Sequence, residues 1–315
     1  MEAVTALGRA ALVVNTASRR GADAFPIAVE ALPRHGVDLD TACAVTDPSI
    51  FPDVVRETVR SGARLLVIGG GDGTISCAAG VLADLPAPDR AVLGVLPLGT
   101  ANDFARSLEI PKGVEAASQV LATGKIVDID LARANAAPFL NAASIGLSVR
   151  VTRALKPGLK RLFGPAAYPF AALMAFRQHR PFSAWLEFPA GDFDRVELDD
   201  LLQVGIGNGR HYGGVATVAP SASVDDHVLH VFAIEKGRLR DHVSIASLLR
   251  SGRFIAHEKV RLFTTTEVVV STDGDQPVNL DGEIATTTPA QFSVQPNAID
   301  VVVPQHVTDV RRERE

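Results

Sequence analysis

Along the first part of the chain, short apolar runs alternate with stretches of helical periodicity. Residues 10–15, 39–45, 64–68 and 92–96 read as strands, and residues 22–35, 52–61, 75–85 and 115–123 as helices between them. That order is the mark of βαβ units and a parallel sheet. Arg56, Glu57 and Arg60 give the second helix its wet face. Gly36 and Gly124 follow the first and last of these helices, where a glycine is expected to stop the helix.

The pattern changes near Asp128. Beyond it the chain is rich in Val, Thr and Phe, with turn residues every ten or so positions. Residues 201–206, 228–235, 260–263, 268–271 and 298–303 read as strands of a mainly β domain of sandwich type. Residues 162–178 are the exception and read as a helix, its start limited by Pro165 and Pro169. The predicted organisation is an α/β domain over residues 1–130 and a β-rich domain over 131–315. The C-terminal segment is expected to pack back on the first domain.

Composition narrows the classes. At 315 residues the chain is long enough for two cores, and 47% hydrophobic with 21% charged residues is an ordinary globular balance. A net charge of −5 argues against bulk nucleic-acid binding, which needs a positive field. Cys43 and Cys77 are too few for a disulfide framework or a cysteine-rich zinc site. His211, His227 and His230 do not fall at zinc-site spacings. The N-terminal stretch lacks the basic leader, apolar run and cleavage site of a signal peptide, and no run of ~18 apolar residues occurs.

Candidate chemistry sits at strand ends. Gly70-Gly71-Asp72-Gly73-Thr74 follows one strand and precedes a helix. Successive glycines allow left-handed backbone and inward-turned N–H groups, and the helix brings its positive end to the same place. Asp72 would repel a phosphate unless a divalent metal lay between them, so a phosphate-and-Mg²⁺ reading explains both glycines and acid. The alternative is a tight turn with Asp72 as helix N-cap. Pro97-Leu98-Gly99-Thr100-Ala101-Asn102-Asp103-Phe104-Ala105-Arg106 follows a second strand. Two such loops at neighbouring strand ends would face one ligand. Neither is a G-x-x-x-x-G-K-[ST] phosphate loop, and no G-x-G-x-x-G follows the first strand. Asp281-Gly282-Glu283, late in the chain, suggests a turn that projects two acids, one of them able to take a proton from a hydroxyl. An ordinary hairpin turn explains the same residues.

Taken together, Gly70 to Thr74 and Pro97 to Arg106 resemble the bacterial diacylglycerol kinase-like lipid kinases, which are related to sphingosine kinases and distantly to NAD kinases. Asp130-Leu131-Ala132, Phe139-Leu140-Asn141, Ser144-Ile145-Gly146, Gly207-Asn208, Tyr212-Gly213-Gly214, Ala219-Pro220 and Asp281-Gly282-Glu283 continue the likeness in the family's order. The resemblance implies an ATP- and Mg²⁺-dependent kinase acting on a lipid hydroxyl, diacylglycerol-like, in a cleft between two domains. It implies ATP and metal binding by Asn15, Gly70, Gly71, Asp72, Gly73, Thr74, Gly99, Thr100, Asn102 and Asp103. It further implies Glu283 as general base beside Asp281, with Asp130 pairing with or orienting it. Asp128, two residues earlier, is the alternative to Asp130.

The sequence departs from the family in three places. Thr16 stands where the family has proline, Val215 replaces a glycine, and Asp225-Asp226-His227 replaces an Asp-Asp-Gly that holds a structural Mg²⁺ in some members. Asp226 is retained as a candidate ligand of that metal. The competing functions are an NAD kinase-like small-molecule kinase and a non-catalytic nucleotide-binding module. The expected setting is cytoplasmic and peripheral to a membrane, with a homodimer allowed. Residues 156–180 combine Phe163, Phe170 and other apolar side chains with Lys156, Lys160, Arg161, Arg177 and Arg180. That composition suits either a membrane-surface element or a core helix with a basic wet face.

Overall fold

The computed structural model describes residues 7–154, 180–209, 211–212, 216–217, 224–238, 241, 244–245, 248 and 253–307. The helix predicted over 162–178, the proposed surface segment up to residue 179, and the motif residues Gly213, Gly214, Val215, Ala219 and Pro220 lie outside them.

The first domain is a parallel sheet flanked by helices. In chain order it comprises β1 (Ala10–Asn15), α1 (Arg19–Arg34), β2 (Leu39–Val45), α2 (Phe51–Arg60), β3 (Leu65–Gly70), α3 (Asp72–Ala83), β4 (Val92–Pro97), α4 (Asp103–Ser107) and α5 (Val114–Thr123). The strands lie in the order β4-β3-β1-β2. Leu12, Val14, Leu32, Val55, Ile68, Leu82, Leu96 and Phe104 share one buried core. Each contributes about 1.5–3 kcal/mol by leaving water.

Helix α1 starts three residues before the predicted position, because the Ser18 hydroxyl accepts the Gly21 N–H at 3.1 Å and caps it. Gly36, with φ 94°, takes the left-handed stop expected of it. Gly124 does not: its φ is −72°. The need there is space, since a Cβ would lie 2.4 Å from the Val303 carbonyl oxygen.

The second domain begins on β5 (Lys125–Ala134) and continues through β6 (Ala137–Phe139), β7 (Ala142–Gly146), α6 (Leu147–Ala154), β8 (Phe182–Glu187) and β9 (Val196–Gly207). Two short strands, β10 (His211–Tyr212) and β11 (Ala216–Thr217), pair apart from the rest. Next come β12 (Leu229–Glu235), β13 (Val260–Thr265), β14 (Glu267–Thr272), β15 (Pro277–Leu280), β16 (Glu283–Thr287) and β17 (Ala290–Val303). Phe139, Ile145, Leu186, Val204, Val231, Val270 and Phe292 form its core.

The long strand β17 joins the two domains. Its first half pairs with β14 in the second domain, and Val301 pairs in parallel with Leu93 of β4. Along β5, Leu131 belongs to the first core and Ala132 to the second. Arg90 holds the junction. Its guanidinium donates to the Leu85 and Ala83 carbonyls at the end of α3, both at 3.0 Å, and to the Ala298 carbonyl of β17 at 2.8 Å.

Candidate active site

The glycines of the two loops serve close approach and not left-handed backbone, which corrects the sequence reading. Gly71, the N-cap of α3, has φ −90°, and neither Gly70, Gly73 nor Gly99 is among the positive-φ residues. A Cβ on Gly70 would meet the Thr74 side chain at 2.6 Å, and one on Gly99 would meet Gly71 Cα at 2.6 Å. Only glycine lets the two strand-end loops touch backbone to backbone. Helix α3 therefore starts at Asp72, directly behind β3, with its N-terminus bare at the loop junction.

Asp72 does not cap its own helix. Its Oδ1 accepts the Phe104 N–H at 3.1 Å and so ties the first loop to α4. Its Oδ2 has no hydrogen-bond partner among the described residues. Asn15 closes the first loop from the side, donating from Nδ2 to Thr74 Oγ1 at 3.1 Å and accepting the Ala17 N–H through Oδ1 at 3.1 Å. Thr16, where the resembled family has proline, carries a buried hydroxyl without a partner among the described residues. In the second loop, Asn102 is left-handed at φ 51°. Its Nδ2 donates to the Gly99 carbonyl at 3.1 Å, and its buried Oδ1 has no partner among the described residues. Thr100 is exposed beside it. Asp103 is 5% exposed and ion-paired with Arg106 at 2.8 Å.

This arrangement fits a Mg²⁺-bound polyphosphate. A Mg²⁺ that carries phosphate takes one or two carboxylates and completes its shell with phosphate and water. Asp72 offers a carboxylate oxygen without a protein donor, and the α3 N-terminus offers N–H groups for phosphate. Asp103 is less available because of Arg106. Arg20, which sequence reasoning missed, donates from Nη1 to the Gly99 carbonyl at 2.8 Å and puts an exposed cation on the rim of the second loop. Its role depends on a contact 79 positions away in sequence, which no local pattern shows.

Glu283 comes to the same junction from the second domain. It is exposed and accepts no hydrogen bond from the described residues. Its Oε1 lies 3.0 Å from where a Cβ on Gly73 would stand, so it rests over the first turn of α3. It also lines a cleft of about 360 Å³ with Gly73, Ser76, Cys77, Pro138 and Leu280. Burial, and then the charge of Glu283, push the Cys77 thiol up, so Cys77 stays protonated and is no nucleophile at neutral pH.

Asp281 anchors this turn. Its carboxylate accepts the Leu140, Asn141 and Ala142 N–H groups at 2.8, 3.0 and 3.0 Å and the Ser76 hydroxyl at 2.6 Å. Burial pushes its carboxyl above the ordinary range, the Ser76 hydroxyl and the Leu140 and Ala142 N–H groups pull it back, and the Asp72 charge raises it again. Asp281 lines the same cleft as Glu283, with its carboxylate taken up by four donors, and it anchors the turn that carries Glu283.

Asp130 does not orient Glu283, contrary to the sequence expectation. It is 1% exposed and accepts the His227 N–H at 2.6 Å, His227 Nδ1 at 2.9 Å and the Asn297 N–H at 3.0 Å. It fixes the His227 turn and the return of β17. Asp128 is exposed, opposite Asp300. Replacing Asp130 with Asn keeps the size but loses an acceptor oxygen facing buried donors. The expected cost is about 2–4 kcal/mol of stability, read as a lower urea midpoint with an unchanged slope. An unaltered midpoint would refute this structural role.

A structural Mg²⁺ at Asp226 does not fit either. Asp226 Oδ1 accepts the Val228 N–H at 3.2 Å, and Oδ2 pairs with His230 Nε2 at 2.9 Å. His227 takes the left-handed position at φ 63° and turns its ring onto Asp130. Protein donors occupy both oxygens a hard cation would need. Among the described residues no group of three or more His, Cys, Asp or Glu side chains is placed to hold a metal ion.

Comparison with known proteins gives the family of both domains. Residues 9–134 match the family described as the diacylglycerol kinase catalytic domain. Residues 141–303 match the YegS C-terminal NAD kinase beta sandwich-like domain. A Yersinia enterocolitica protein named "Probable lipid kinase YegS-like" is 34% identical over 79% of this chain and 82% of its own length. A Pseudomonas aeruginosa protein of the same name is 37% identical over 80% of each. The crystal structure of a diacylglycerol kinase from Bacillus anthracis superposes with a TM-score of 0.71 at 20% identity, covering 96% of this chain and 98% of that one.

Proposed function

The chain belongs to the diacylglycerol kinase family of lipid kinases, and we propose that it transfers the γ-phosphoryl group of ATP to the hydroxyl of a diacylglycerol-like lipid. The observation that carries this reading is the unpartnered Glu283 carboxylate lying over the α3 N-terminus, where the two glycine loops meet. The triphosphate would lie along those loops, its charge met by α3 N–H groups and Arg20. Mg²⁺, held through Asp72, would neutralise charge on the phosphates and align them. Glu283 would accept the proton of the acceptor hydroxyl as its oxygen attacks phosphorus in line. The cleft behind Glu283, walled by Val81, Pro138 and Leu280, offers apolar contact to the acceptor. A diacylglycerol-like acceptor resides in a membrane, so the reaction would run at its surface. No helix among the described residues is long and apolar enough to cross a membrane.

Nucleotide choice is tested by calorimetric titration with ATP and NAD, each with and without Mg²⁺. ATP is expected to bind with strong Mg²⁺ dependence and NAD not to bind, and the reverse order would overturn the assignment. Arg20→Ala should weaken Mg²⁺-ATP binding about fivefold to tenfold, on the order of 1 kcal/mol for an exposed cation against phosphate. Unchanged affinity in that variant would remove Arg20 from the site.

A further inference from the structure

Glu283 has little to hold it. It opens β16, an edge strand of the sheet, and it is exposed and accepts no hydrogen bond from the described residues. Its position is set by the turn before it. Asp281 and Gly282 are left-handed in succession, at φ 46° and 101°, and the Gly282 N–H is caught by Asn279 Oδ1 at 3.0 Å. That turn is docked on the nucleotide domain through one side chain of α3. Ser76, 4% exposed, donates its hydroxyl to Asp281 Oδ2 at 2.6 Å, a contact between residues 205 positions apart.

The two partners belong to different bodies. Ile75 and Ala78, on either side of Ser76, pack in the first core, and Leu280, next to Asp281, packs in the second. The remaining three donors to the Asp281 carboxylate, residues 140–142, precede or open β7. Among these four donors, only Ser76 ties the turn to the helix whose N-terminus faces the phosphate loops.

We propose that Ser76 is a positioning residue for phosphoryl transfer: its hydroxyl docks the Asp281 turn on α3 and so fixes the Glu283 carboxylate over Gly73. This rests on Glu283 being the base. A misplacement of about 1 Å in a reacting group costs up to ~10²-fold in rate, so a flexible base on an edge strand gains from such an anchor.

The test compares Ser76→Ala, Ser76→Thr and Glu283→Gln in the full-length chain, assayed with Mg²⁺-ATP and diacylglycerol in mixed micelles. Ser76→Ala is expected to lower kcat about tenfold with KM for ATP within about twofold, because the loss falls on the base and not on the nucleotide. The acid limb of its kcat profile should move to higher pH. Losing the Ser76 donor lifts the Asp281 carboxyl further, beside the charge of Asp72, and protonation of Asp281 then loosens the remaining hold of the residue 140–142 N–H groups on the turn at higher pH. Ser76→Thr, which retains the hydroxyl, should restore kcat and the limb. If Ser76→Ala keeps the native kcat and pH profile while Glu283→Gln is inactive, Ser76 does not position the base and the assignment of Glu283 stands. A drop in melting temperature without a change in kcat or in the limb likewise overturns the proposal. If Glu283→Gln is fully active, the base assignment falls and the proposal with it.

Discussion

Glu283→Gln is expected to lower lipid phosphorylation by about 10³-fold while ATP still binds, since a positioned general base contributes ~10²–10⁴. Glutamine keeps the length and shape of the side chain and loses its charge and with it the ability to take a proton. The side chain is exposed and accepts no hydrogen bond from the described residues, so their packing asks nothing of its charge. The other ionisable groups beside it cannot replace it. Cys77 is held as a thiol, and Asp281 is filled by four donors. A normal rate in the variant, or a collapse of ATP affinity alone, would contradict the assignment.

Asp72→Asn is expected to reduce turnover by ~10²-fold or more, because charge neutralisation and positioning carry phosphoryl transfer. The structure makes this a clean substitution. The contact that Asp72 makes with the fold is through Oδ1, from the Phe104 N–H, and asparagine keeps that oxygen. The melting temperature should therefore stay near native, whereas the metal requirement should rise. The comparison is made at limiting Mg²⁺, where unchanged turnover would rule out Asp72 as the residue that holds the metal.

Much of this architecture was legible in the chain. Wholly apolar runs such as β3 and β4 report strands buried on both faces, and their alternation with helices reports the parallel order. Helix starts were less legible. α3 opens on Asp72-Gly73-Thr74, which carries no apolar period, so the pattern becomes visible only at Ile75. The residue types at the phosphate loops were readable, but the reason for the glycines was not. Gly71 and Gly99 answer to each other across two strands, and a sequence shows a glycine without showing what approaches it. Asp130 was misread for a related reason. Its acidity and spacing were plain, but its partners His227 and Asn297 are brought to it by the second domain. Ser76 and Arg20 carry no signal of their own, since each is an ordinary helix residue until the fold supplies Asp281 and Gly99.

The most direct test of the chemistry is transfer of label from radiolabelled ATP, with Mg²⁺, to a panel of diacylglycerol, phosphatidylglycerol, sphingosine and NAD offered in parallel to the purified chain. The expected result is label in diacylglycerol, dependent on Mg²⁺ and lost in Glu283→Gln. Label in NAD alone, or bound ATP with no transfer to any acceptor, would contradict it.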